Sequence, residues 1–144
     1  MKKINLNSLV LLLTAGLLTA CTSSPIPQPT ADTAIVEMYA QPSRSLMADT
    51  LDRQRVNDGR YFKVPAGSHR LAVRFQYETA EVTGVFRDRG YITCLMSFNY
   101  DFEAGVSYRL EARPMVTGAQ LLISKGDNTK LFDFSEVDVR CGPY

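Results

Sequence analysis

From Ala34 onward, apolar and polar residues alternate with a period of two in one segment after another. Ala34 to Tyr39 places Ala34, Val36 and Met38 on one side. Arg60 to Val64 places Phe62 and Val64 together. His69 to Tyr77 alternates without a break: His69, Leu71, Val73, Phe75 and Tyr77 fall on one face, and Arg70, Ala72, Arg74 and Gln76 on the other. Ile92 to Phe102 repeats the pattern through Cys94, Met96, Phe98 and Tyr100. Val106 to Ala112 sets Val106, Tyr108, Leu110 and Ala112 against Ser107, Arg109 and Glu111. A period of two over so many segments predicts half-buried antiparallel strands. Two shorter runs, Leu121–Ser124 and Leu131–Phe134, flank "KGDNTK".

The punctuation agrees with this reading. In "VPAGSH", Pro65 presets φ and Gly67 is free to take a positive φ, as a tight turn requires. Gly105 in "EAGVS" has the same role, and "NDG" precedes the Tyr61 strand. Strands at this spacing predict an all-β, antiparallel β-sandwich of about seven short strands. Arg44–Val56 fits either a short helix capped near Ser45 or a strand followed by a turn, and the strand is preferred. Glu78–Tyr91 reads as a long connection with room for a small hairpin through Val82–Phe86.

The N-terminus departs from this pattern. Lys2 and Lys3 are followed by an almost wholly apolar run, Leu9–Leu18. A bilayer-spanning helix needs about 20 apolar residues, so this run is too short to span. Positive charge, a short apolar stretch and small residues after it describe an export signal. Leu18-Thr19-Ala20-Cys21 resembles the bacterial lipobox. That resemblance implies that the Cys21 thiol receives a diacylglyceryl group, that residues 1–20 are removed, and that the new amine is acylated. Each buried CH₂ contributes roughly 0.8 kcal/mol, so several chains on one residue give a firm anchor. Thr22 resembles the outer-membrane-directed class of such signals. The expected location is the outer membrane, lipid-anchored and facing the periplasm.

Residues 21–32 are then the lipidated cysteine and a flexible linker, with Pro25, Pro27 and Pro29 among polar residues. Proline favours extended backbone at about 3.1 Å per residue, which gives the linker a reach of about 34 Å. Residues 33–144 form the single domain. Loss of Lys2 and Lys3 leaves 14 basic and 15 acidic side chains, a net charge of −1. That balance gives no net electrostatic footprint for nucleic acid or an anionic membrane surface.

Cys94 and Cys141 remain once Cys21 is acylated. In an oxidising compartment an even pair usually bridges. The rival reading is free or metal-binding thiols, although one histidine and two cysteines do not complete a zinc set. A bridge would close a loop of about 48 residues, worth about 4 kcal/mol in the chain-entropy model, and would tie "VRCGPY" to a central strand.

"RYFKVPAGSHRLAVRF" and "FEAGVSYRLEAR" resemble the signature of PEGA-like domains and of small bacterial envelope lipoproteins built like them. The resemblance covers roughly residues 34–123, and Ala66 and Ser68 depart from the name-giving residues. It implies a β-sandwich that binds or scaffolds in the envelope, with no catalytic set.

Candidate chemistry is sparse. His69 is the only histidine, and its neighbour Ser68 points to the opposite face of a strand, which is poor geometry for a hydrolytic pair. A histidine there is expected to lock a turn through a carbonyl. "DFSEVD" lacks the glycine and ligand order of a calcium loop. Tyr77, Tyr91 and Tyr100 are candidate lining residues for an apolar or glycan groove. Arg87 and Arg89, with Arg70 and Arg74, are candidates for a basic contact patch. The expectation is a non-catalytic protein with no cofactor and no metal, contacting an envelope protein or cell-wall material. The alternative is a carrier or sensor of a small amphiphile.

Overall fold

The computed structural model describes residues 23–80, 89–116 and 118–142. All regular structure in them is β. Ten strands run in chain order: β1 Thr33–Tyr39, β2 Arg44–Leu51, β3 Gln54–Arg55, β4 Tyr61–Pro65, β5 Gly67–Ala80, β6 Arg89–Phe102, β7 Ser107–Met115, β8 Gly118–Lys125, β9 Asn128–Leu131 and β10 Val137–Gly142. They form two five-stranded sheets, ordered β4-β1-β7-β8-β9 and β10-β6-β5-β2-β3. The protein is a β-sandwich, with β3 and β9 as short additional edge strands.

Arg44–Val56 is a strand and turn, as preferred from sequence, with two positive-φ residues, Asp52 (49°) and Arg53 (69°), joining β2 to β3. Both central residues of a two-residue type I′ hairpin need this conformation. Gly67 (111°) and Gly105 (75°) take the positive φ their turns require. The long connection expected over Glu78–Tyr91 is shorter than that: Glu78 pairs with Tyr91, Thr79 with Gly90 and Ala80 with Arg89, so β5 and β6 continue into it. The hairpin proposed at Val82–Phe86 lies outside the described residues.

One pairing departs from an all-antiparallel arrangement. β1 runs parallel to β7, with Val36 beside Tyr108 and Met38 beside Leu110. A parallel neighbour needs a long crossover. Here the chain visits the second sheet twice before β7 returns beside β1.

The inward faces are those that alternation marks. Leu71, Val73 and Phe75 of β5 and Cys94, Met96 and Phe98 of β6 meet Ala34, Val36, Phe62, Val64, Leu110, Leu121 and Ile123 of the other sheet. Each is almost fully buried, and burial of this kind contributes about 25 cal/mol per Å². Along one long edge β2 packs on β1 and β4; along the other, β10 packs on β8.

Ile35 is fully buried although it points away from Ala34 and Val36. The segment before β1 is held against the body as well. Thr30 exchanges two backbone hydrogen bonds with Thr33, at 3.0 and 3.2 Å. Six residues earlier, the Ser24 carbonyl accepts a hydrogen bond from Arg60 Nη1 at 2.8 Å, and Arg60 itself accepts from the Met38 amide. The segment therefore retraces β1 from end to end, with Ile26, Pro27 and Pro29 half-buried. The linker expected to be flexible over residues 21–32 is docked in its described part, so its extended reach is not available there.

Candidate functional site

The structure separates the tyrosines proposed to line one groove. Tyr77 points inward, with its ring 5.3 Å from Phe75 and its hydroxyl donating to the Gly118 carbonyl at 3.4 Å. Tyr91 lies on the opposite, outer face and donates to Glu78 at 3.2 Å. Tyr100 pairs with His69, and Tyr77 with Ile92. Eight residues of β6 therefore separate the two inward tyrosines, roughly 26 Å at strand rise. Tyr100 belongs to an aromatic group with Phe102, Tyr108 and Phe132, at centroid distances of 4.9, 5.8 and 6.0 Å. Those rings fill the space between the sheets.

Arg87 lies outside the described residues, as does Cys21, and only the backbone of Arg89 is described, opposite Ala80. Arg70 and Arg74 are on the outer face of β5. Arg70 donates to Ser97 Oγ at 2.7 Å, and Arg74 lies 3.8 Å from Asp49. Cys94 and Cys141 are directly opposite in the β6–β10 ladder, with Cα atoms 4.0 Å apart, and are disulfide-bonded.

His69 does lock a turn, but through a carboxylate rather than a carbonyl. Its Nδ1 lies 2.7 Å from Asp52 Oδ2, while Asp52 Oδ1 accepts the Arg70 amide at 2.9 Å. The Arg70 N–H first, and His69 second, hold the Asp52 carboxyl below its ordinary range. The pair fastens the left-handed β2–β3 hairpin to β5. Among the described residues, no group of three or more His, Cys, Asp or Glu is placed to hold a metal ion.

Sequence reasoning missed the seam between β8 and β10. An open groove of about 480 Å³ there is lined by Gly118, Phe134, Val137, Val139 and Cys141. Phe134 is 66% exposed and Leu131, on the neighbouring edge strand, is 49% exposed. Phe134 is held out by its own loop. Phe132, two residues before it, is buried. Glu136 accepts from Lys130 Nζ at 2.7 Å and from the Asp133 amide at 2.9 Å. Lys130 first, and that amide second, lower the Glu136 carboxyl below its ordinary range. β10 is the edge of its sheet, so one row of its backbone groups faces outward. In "LFDF" Phe132 and Phe134 share one phase of a period of two, so alternation alone does not distinguish the buried ring from the exposed one.

The near-zero net charge conceals a separation. Between Arg44 and Arg74 stand seven Lys or Arg against Asp49, Asp52 and Asp58. The rest of the chain from Cys21 onward has seven bases and twelve acids. Residues 44–74, which build β2, β3, β4 and the start of β5, thus carry a positive excess of four along the chain, with Asp138 of β10 also 3.9 Å from Arg70.

No family model matches this chain, and neither a curated protein nor a solved structure matches it.

Proposed function

We propose that this is a non-catalytic, lipid-anchored envelope protein on the periplasmic side of the outer membrane, which holds a partner through the β8–β10 seam. The tether is supported by the sequence Leu18–Cys21 after a short apolar run. The resemblance to PEGA-like envelope modules points the same way.

The observation that carries the docking role is Phe134. A phenylalanine exposed at the wall of an open groove, on a loop cross-braced by Glu136, has the character of an interface hot spot: a rigid aromatic anchor at a concave surface. The neighbouring edge of β10 offers backbone donors and acceptors to an extended segment of the partner. His69 braces the hairpin through Asp52, and its strand neighbour Ser68 points to the opposite face, which supports a binding role over a hydrolytic one.

The test is a photo-crosslinking residue at position 134 of the full protein in intact cells, with position 63 on β4 as control. The reading expects discrete products from position 134 and none of the same mass from position 63. Identical products from both positions, or none from 134, contradict it.

A further inference from the structure

The docked segment before β1 fixes where a lipid on Cys21 emerges. Ser24 is bonded to Arg60, and Cys21 is three residues earlier. Three residues span at most about 11 Å. The anchor therefore leaves the body beside the β2–β4 edge, where Gly59 adjoins the Met47 side chain.

That is the edge with the positive excess. Arg53 and Arg55 stand exposed on the β2–β3 hairpin. Arg53 also occupies a left-handed position, φ 69°, which glycine fills at lowest cost, so a cation is held at the hairpin tip against backbone preference.

We infer that the β2–β4 edge rests against the phosphate headgroups of the membrane that holds the anchor, leaving the β8–β10 seam on the far side, turned toward the periplasm. This rests on the lipid-anchor reading and adds an orientation to it. Lys and Arg side chains beside an anionic lipid surface are attracted to it within about a Debye length. A tether as short as this one keeps the edge inside that range, about 10 Å at 0.1 M salt. The same geometry gives the seam free access to a partner.

The chain has no tryptophan, so single tryptophans report position. The acylated protein is placed in phosphatidylcholine vesicles and in equimolar phosphatidylcholine and phosphatidylglycerol vesicles, each with acyl chains brominated near the headgroup. Gln54→Trp probes β3 and Leu131→Trp probes β9, both exposed edge positions. The expected result is a blue shift and bromine quenching of Gln54→Trp in the anionic vesicles, reversed as salt rises from about 0.1 M to about 1 M and the Debye length falls to about 3 Å. Leu131→Trp is expected to stay water-like throughout. Arg53→Gly, which relieves the backbone while removing a charge, is expected to weaken the Gln54→Trp response with the fold intact. A protein that floats with the vesicles but shows the same Gln54→Trp emission in both, or an equal shift at Leu131→Trp, overturns the orientation and leaves the anchor standing. Failure to float with neutral vesicles overturns the anchor itself, and the orientation with it.

Discussion

The Ser24 carbonyl oxygen accepts a hydrogen bond from Arg60 Nη1 at 2.8 Å, so the segment that precedes β1 is tied to the start of β4. Arg60 is itself set by Asp58, through Nη2 to Oδ2 at 2.6 Å and Nε to Oδ1 at 2.9 Å. The Arg60 guanidinium first, and its backbone N–H second, hold the Asp58 carboxyl at about 2 instead of 3.8.

Acid is therefore expected to release this tie. A carboxyl whose folded value is depressed stabilises the folded arrangement above its unfolded value and loses that contribution as pH falls toward the folded one. The window here runs from about pH 4 down to about pH 2. NMR hydrogen-exchange protection at Thr33 and Met38, measured relative to the intrinsic rate at each pH, should fall across that window, and Asp58→Asn should show the loosened state already at neutral pH. Unchanged exchange in Asp58→Asn would show that Arg60 holds Ser24 without it.

The Cys94–Cys141 bond holds an edge strand, β10, to β6. Its partners are 47 residues apart in sequence. Loss of such a cross-link costs about 4 kcal/mol in the chain-entropy model and 2–5 kcal/mol in practice. Cys94→Ser together with Cys141→Ser should lower Tm on the order of 10 °C under oxidising conditions. Wild type and variant should converge under reducing conditions. Calorimetry in both conditions checks this.

Phe132 and Phe134 should respond oppositely. Phe132 is buried, with its ring 4.8 Å from Phe98, so Phe132→Ala should cost about 3–5 kcal/mol. Phe134→Ser should change stability by no more than about 0.5 kcal/mol yet abolish the partner contact proposed for the seam. Urea unfolding curves of the two variants, with crosslinking for the second, separate the roles.

Arg53→Gly should stabilise the fold by roughly 1 kcal/mol, because it removes a left-handed non-glycine residue that makes no contact the fold depends on. Denaturant midpoints at unchanged slope measure this directly. A loss of stability would show that the Arg53 side chain supports the hairpin.

The sandwich was legible because alternation with burial on one side is a local signal. His69–Tyr77 and Ile92–Phe102 each mark one inward face, and the structure places Leu71, Val73 and Phe75 opposite Phe98, Met96 and Cys94. What escaped has a non-local cause. Ile35 breaks the alternation, buried although it points away from Ala34 and Val36, which no period of two reports. The parallel β1–β7 pairing depends on which sheet each strand joins. Tyr77, Tyr91 and Tyr100 share composition but not location, since Tyr91 is out of phase with the other two and Tyr100 lies at the far end of β6. Phe134 was read as the end of a strand because its exposure depends on a loop braced by Glu136, a side chain with no periodic signature.

Acylation of Cys21 is the premise that gives both the seam and the basic edge their meaning, and the mass of the mature N-terminal peptide tests it most directly. The account predicts a peptide beginning at Cys21 that carries a diacylglyceryl thioether and an acylated amine, with the Cys21→Ala protein in the soluble fraction. An unmodified thiol at Cys21, or recovery of peptides from residues 1–20 in the mature protein, would contradict it.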